Sequence, residues 1–173
     1  MSLVRYCLHV FGNVWTNNIL PENNRRYRAF TKLDNNRLQT LQNRVMRMKL
    51  NEHSNSNTSC KELVRRSGEM SIQQLTAYFT LLQIFKSTQT QKPEYLANKL
   101  TLNKPNEGRV FPYRQLNTIT INRNLTISRS GFFYRGSTLW NLLPVDLRTM
   151  DNAEKFKKGV KKWIKENIPV KPP

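Results

Sequence analysis

Residues 71–87 read SIQQLTAYFTLLQIFKS, a run with no glycine, no proline and one charge, Lys86. Ile72, Leu75, Phe79, Leu82 and Phe85 recur at three- and four-residue intervals, the period that lines side chains along one face of an α-helix. Leu81 and Ile84 lie beside that stripe and widen the apolar surface to that of a helix in the middle of a bundle. Ser71 stands three residues before Gln74, so each side chain can serve the other's exposed backbone amide at the helix start. The run therefore predicts a central helix over 71–88, and Pro93 fits a helix that has already ended.

Other helices follow from the same reasoning. Over 34–50, Leu38, Leu41, Val45 and Met48 share a helical spacing, with Arg37, Arg44, Arg47 and Lys49 expected largely off that stripe. The polar run NEHSNSNTS, residues 51–59, breaks this helix. Ser59 with Glu62 and Asp151 with Glu154 repeat the capping spacing and predict helices over 59–68 and 151–167. In the last of these, Phe156, Val160, Trp163 and Ile164 fall on one face, while Lys155, Lys157, Lys158, Lys161, Lys162 and Lys165 surround the rest. PEYLANKL, residues 93–100, suits a short helical turn, and helical pattern resumes near Ser137. Between them NTITINRNLTI, residues 117–127, alternates and is β-branched, which predicts an extended strap. The fold class is mainly α: a small helical bundle with one strand-like strap around 116–128. The expected organisation is an N-terminal apolar segment plus basic arm over 1–33, a helical basic domain over 34–168, and a disordered tail over 169–173. Six glycines in 173 residues argue against a turn-rich all-β alternative.

Within residues 132–148, FFYRGSTLWNLLPVDLR, the apolar neighbours of Trp140 make it a core residue, together with Phe133, Leu139 and Leu143. Asn141 is expected to pair with backbone and Pro144 to end a short helix. Base stacking on Phe132 or Tyr134 is the functional alternative for this stretch.

Basic residues number 29 against 11 acidic ones, a formal net charge of +18, and no single tail carries the excess. A charge so high and so evenly spread makes the compact state self-repelling unless a polyanion offsets it. Nucleic acid is the natural counter-charge, because Lys and Arg neutralise phosphates along a backbone. No uncharged run approaches the roughly 18 residues of a membrane span. The apolar start is interrupted by Arg5 and His9 and lacks a cleavage site, so the chain reads as intracellular, nuclear or cytoplasmic. The lack of acidic residues before Glu22 is compatible with a mitochondrial address, although the arginines are too few to favour one.

Catalytic and metal constellations are missing from the pattern. Asp34, Asp146 and Asp151 are the only aspartates, and no two carboxylates are adjacent. Cys7 and Cys60 read as buried free thiols, and only His9 and His53 could add metal ligands. Asp146, Asp151 and Glu154 make a weak metal trio, since the last two explain themselves as a cap; Cys60 with His53 lacks an orienting third group. No phosphate-cradling glycine loop occurs. The reading is a non-enzyme with no metal, no cofactor and no small-molecule substrate.

Five pieces, YCLHVFGNVW (6–15), LQTLQNRVMRMKL (38–50), PEYLANKL (93–100), FFYRGSTLWNLLPVDLR (132–148) and FKKGVKKWIKENI (156–168), occur in order. Together they resemble the C-terminal region of non-LTR retrotransposon reverse transcriptases of the jockey-like groups. In that family an LQNR helix, a long helix, a P-x-Y-L segment and a closing LWN-x-LP…FK unit follow the polymerase palm. The catalytic pair of adjacent aspartates belongs to the palm and has no counterpart here. The resemblance implies a thumb and post-thumb portion: helical, basic and laid against RNA or an RNA–DNA hybrid. The initial Met suggests a free-standing protein, either domesticated or a decayed fragment. Residues 16–33 are longer than the family's usual connection.

The leading functional expectation is a non-catalytic module that grips RNA or RNA–DNA hybrid through its phosphates. Its expected contacts are Arg37, Arg44, Arg47 and Lys49 on the first helix and Arg109, Arg114, Arg123 and Arg129 along the strap. Guanidinium groups fork onto phosphate oxygens, which ranks these first. Lys157, Lys158, Lys161 and Lys162 rank second, because lysine runs on an amphipathic helix are commonly a solvated face. The rival is a structural or interaction subunit of a larger ribonucleoprotein or protein assembly. Membrane association through the basic C-terminal helix ranks last.

Overall fold

A computed structural model describes residues 32–53, 56–103, 116–121 and 132–170. Among these the chain forms seven helices: α1 (Lys32–Lys49), α2 (Cys60–Ser67), α3 (Ile72–Thr90), α4 (Glu94–Ala97), α5 (Phe132–Asn141), α6 (Val145–Arg148) and α7 (Ala153–Asn167). The fold is mainly helical, and the only β pairing among the described residues is an isolated antiparallel bridge between Leu102 and Ile119. Backbone contacts divide the chain between Ser67 and Gly68 into two compact units. That boundary falls inside the stretch 34–168 read from sequence as one domain. The expected N-terminal segment and arm lie, up to residue 31, outside the described residues.

In the first unit α1 packs against α2. Asn51, in the left-handed region at φ 52°, stops α1. The amide of Glu52 then donates to the Arg47 carbonyl at 2.9 Å and that of Asn51 to Met48 at 3.2 Å, which satisfies carbonyls a helix end leaves open. The buried face of α1 is Gln39, Gln42, Asn43 and Met46, against Cys60, Leu63 and Val64 of α2. This corrects the expected stripe: Leu41, Val45 and Met48 are 54%, 41% and 76% exposed. The true buried set is shifted by one residue and is mostly amide. Gln39 Nε2 donates to Gln42 Oε1 at 2.8 Å and to Asn43 Oδ1 at 3.0 Å, so polar groups that periodicity assigns to solvent satisfy one another inside.

The second unit is built around α3, which contacts α4, α5 and α7. Its start is the expected capping box: Gln74 N–H donates to Ser71 Oγ, and Ser71 N–H donates to Gln74 Oε1. The remaining Gln74 amide donates to the Ile168 carbonyl at 2.7 Å and ties down the end of α7. The buried arc of α3 runs through Gln74, Ala77, Leu81, Ile84, Phe85 and Ser87. Phe79, expected in the core stripe, is 43% exposed, and Leu75 and Leu82 are only partly buried. Leu81 and Ile84, read as flanks, are its centre. Gly136 of α5 makes that rotation possible, since a Cβ there would lie 2.9 Å from Ile84 Cδ1.

Phe85 stacks on Phe156 with ring centroids 4.1 Å apart, and Trp140 lies 5.8 Å from the same ring. Trp140 and Leu143 are buried, with Phe133 and Leu139 packed against them as expected. Two local assignments are corrected. Pro144 does not end α5; it precedes and initiates α6, where its fixed φ suits a helix start. The cap of α7 is Asn152, whose Oδ1 accepts from the amides of Glu154 and Lys155 at 3.0 Å each. Asp151 precedes the cap, and Glu154 is left to pair with Lys157 at 2.6 Å.

The described part of the strap, residues 116–121, begins with a turn and continues extended; residues 122–128 lie outside the described residues. Asn103 N–H donates to Thr118 O at 2.7 Å, and Thr120 N–H to Thr101 O at 3.1 Å. Trp140 and Asn141 hold it from the helical side. Trp140 Nε1 donates to Asn117 O at 2.8 Å. Asn141 accepts from Ile119 N–H at 2.8 Å and donates to Ile119 O at 2.9 Å, a two-point imitation of a β ladder.

Asn141→Ala should lower stability by about 2 kcal/mol, because it orphans two backbone groups of a buried residue. Asn141→Asp keeps the acceptor but turns an oxygen toward the Ile119 carbonyl. Its folded-state pKa should therefore be raised, with a penalty present at neutral pH that shrinks as the pH falls and the carboxyl gains a donor proton. Urea unfolding followed by tryptophan fluorescence measures both. A loss under about 0.5 kcal/mol for the alanine variant would mean that the strap is held elsewhere.

Candidate nucleic-acid interface

The expected cations are distributed over both units. On α1, Arg37 and Arg44 are exposed and seven residues apart, hence on nearly the same side of the helix. Leu41 and Met48 fall on that side too. This corrects the expectation that the arginines lie off the apolar stripe; basic and apolar residues alternate along one solvent face. Arg47 is half-buried, and its Nη2 donates to the Thr58 carbonyl at 3.3 Å. Lys49 Nζ donates to the Ser67 carbonyl at 3.2 Å. These two serve the first unit's own loop and helix end. Nearby, hydrogen bonds from Thr58 and Ser56, with the Arg66 guanidinium, hold the Glu52 carboxyl below its ordinary value. Arg109, Arg114, Arg123 and Arg129 lie outside the described residues.

The second unit brings the lysines together. Phe156, Val160 and Ile164 are each 0% exposed, so the opposite side of α7 faces water. Lys158, Lys161 and Lys162 stand there, and with Lys165 they line a shallow depression of about 330 Å³. Among the described residues no hydrogen bond or ion pair engages Lys158, Lys161 or Lys162. Lys165 Nζ donates to the Gly68 carbonyl at 3.2 Å. Lys157 is set apart: its hydrogen bond and ion pair with Glu154 raise its pKa and lower that of Glu154. Lys165 is missing from the sequence-derived contacts. The signal was available, since 158, 161, 162 and 165 follow the same i, i+3, i+4, i+7 rule used for apolar residues.

The aromatic alternatives are largely absorbed by packing. Phe132 meets Phe133 edge-on at 5.7 Å, and Lys99 lies 5.1 Å above the Phe133 ring. Tyr134 is half-buried. Cys60 is a buried free thiol whose pKa burial pushes up. Among the described residues no three His, Cys, Asp or Glu side chains gather as a metal site, and no helix is long and apolar enough to cross a membrane. No family model, no curated protein and no solved structure matches the chain.

This geometry orders the lysines by reactivity. Under limiting acylation at neutral pH, Lys158, Lys161 and Lys162 should modify faster than Lys157. The margin should be about two-fold, the scale of an exposed ion pair. Glu154→Gln should erase that margin, read by peptide mass spectrometry. Equal rates in the parent chain would contradict the pairing.

Proposed function

We propose that this chain is a non-catalytic nucleic-acid-binding module that grips RNA or an RNA–DNA hybrid through its phosphates. One observation carries the reading: on a chain of net charge +18, a helix locked into the core presents a face of lysines, of which Lys158, Lys161 and Lys162 are engaged by no hydrogen bond or ion pair among the described residues. Desolvating such a face against apolar protein is unfavourable, whereas phosphates compensate each ammonium and release counterions. The ordered motifs of the sequence support descent from the C-terminal region of a non-LTR retroelement reverse transcriptase, without its catalytic palm. A lipid surface fits less well. An interfacial helix must bury its apolar face in the bilayer, and the apolar face of α7 is already buried in the core.

A second reading, a subunit of a ribonucleoprotein or protein assembly, draws on a separate observation. Leu41, Val45 and Met48 form an exposed apolar strip on α1, and such strips mark contact with another macromolecule when contiguous.

Fluorescence anisotropy with labelled single-stranded RNA, RNA–DNA hybrid and duplex DNA, from 50 to 200 mM salt, tests the first reading. Binding of RNA and hybrid should weaken with a log–log salt slope of at least about 3, at 0.7 to 0.9 per phosphate contact. Absence of binding at the lowest salt would overturn it and leave the assembly reading in its place.

A further inference from the structure

We infer that the outward face of α7 is a phosphate rail. Lys158, Lys161, Lys162 and Lys165 together engage successive phosphates of one nucleic-acid strand and read no base. The inference rests on the nucleic-acid reading above and names where, and how, that binding occurs.

Lys158 and Lys165 bracket seven helical steps, about 10 Å of axis at 1.5 Å per residue. One strand of a duplex presents a phosphate about every 3.4 Å of axis, so this length matches about three phosphates. The rail is held rigid before any ligand arrives. Phe156, Val160 and Ile164 lock the helix from below, Asn152 caps its first turn, and Gln74 ties the carbonyl of Ile168 just past its end. The backbone cost of ordering the lysines is thus already met by folding. Its ends are marked by charge. Glu154, occupied by Lys157, precedes the four lysines, and Glu166 follows them in the chain.

The chemistry of the face then sets what it reads. Among the described residues only lysines line the depression, with no amide, guanidinium or aromatic side chain. Base recognition needs donor–acceptor pairs or stacking planes aimed at base edges and faces, and the described residues of the face supply none. An ammonium is a point charge with three rotatable donors rather than a rigid fork, so it accepts phosphates over a range of orientations. The occupant that fits is a phosphodiester backbone, independent of base sequence.

The test uses the full chain carrying K158Q/K161Q/K162Q/K165Q, an arginine counterpart at the same four positions, and R37Q/R44Q on α1. Circular dichroism checks that each retains its helix content. The probes are labelled oligo(U), oligo(A) and oligo(C) of equal length. The parent chain should bind all three within about three-fold. The glutamine variant should lose at least ten-fold in affinity for each alike, with a salt slope smaller by about 2 to 3, three contacts at 0.7 to 0.9 each. The arginine variant should keep both, and the α1 variant should lose less than the glutamine variant. If the parent binds but the glutamine variant keeps its affinity and slope, the rail is wrong while the nucleic-acid reading stands. A preference among the three oligomers that disappears in the glutamine variant would overturn base-independent reading. Loss of binding to anionic vesicles with RNA binding intact would make the face a lipid site instead. A parent chain that binds none of the oligomers overturns the nucleic-acid reading and the rail together.

Discussion

The burial of Phe156, Val160 and Ile164 is the constraint on which the second unit depends. All three are fully removed from solvent, and Phe156 stacks on Phe85 and meets Trp140 at a tilt. Burying a side chain of this size contributes roughly 1.5 to 3 kcal/mol, so the rotation of α7 about its axis is strongly set. Once that rotation is set, the positions of the lysines follow from helical geometry alone. Packing on one side of α7 thereby determines electrostatics on the other. The same contact removes the hydrophobic face that a lipid-binding helix would need.

Polar groups do comparable work where apolar ones are absent. Trp140 contributes its ring to the core and its Nε1 proton to the strap, while Asn141 beside it supplies the two bonds that a neighbouring strand would otherwise provide. A lone extended segment leaves its backbone groups unpaired at a cost, and this Trp-Asn pair removes that cost for the Asn117 carbonyl and for both backbone groups of Ile119. In the first unit the Gln39, Gln42 and Asn43 amides take the place of a hydrophobic stripe. Glu52 gathers Ser56 and Arg66 around the loop between α1 and α2.

The elements of the sequence that were legible are those whose signals do not compete. Helix α7 is found within two residues of its ends because its apolar and lysine positions segregate completely. Helix α3 is found too, but it is apolar on several sides, and only the close approach of Gly136 selects Leu81 and Ile84 over Phe79 as its deepest residues. Helix α1 is placed correctly along the chain and wrongly about its axis. Period alone cannot distinguish a leucine stripe from an amide stripe one residue away when the amides bond to one another. Asp151 and Asn152 are both competent caps, and their competition was settled by which backbone amides the fold turns toward them. For the site, the ranking of arginine over lysine followed from the chemistry of isolated side chains. Tertiary contacts add what isolated side chains do not show: Arg47 and Lys49 bond to carbonyls of their own unit, whereas among the described residues no hydrogen bond or ion pair engages Lys158, Lys161 or Lys162. Lys165, whose Nζ also donates to a carbonyl, that of Gly68, joins them by its i, i+3, i+4, i+7 spacing rather than by being open.

The central claim is that core packing on α7 turns a lysine face outward to meet a phosphate backbone. A side-chain NMR titration tests it most directly, with lysine Cε and isoleucine methyl groups labelled in the full chain and a short single-stranded RNA added stepwise. The Lys158, Lys161, Lys162 and Lys165 signals should move together, while the Ile164 and Ile84 methyl signals stay in place. Shifts centred on Lys49, Lys86 or Lys99 with the α7 lysines unmoved, or displacement of the Ile164 methyl signal, would contradict it.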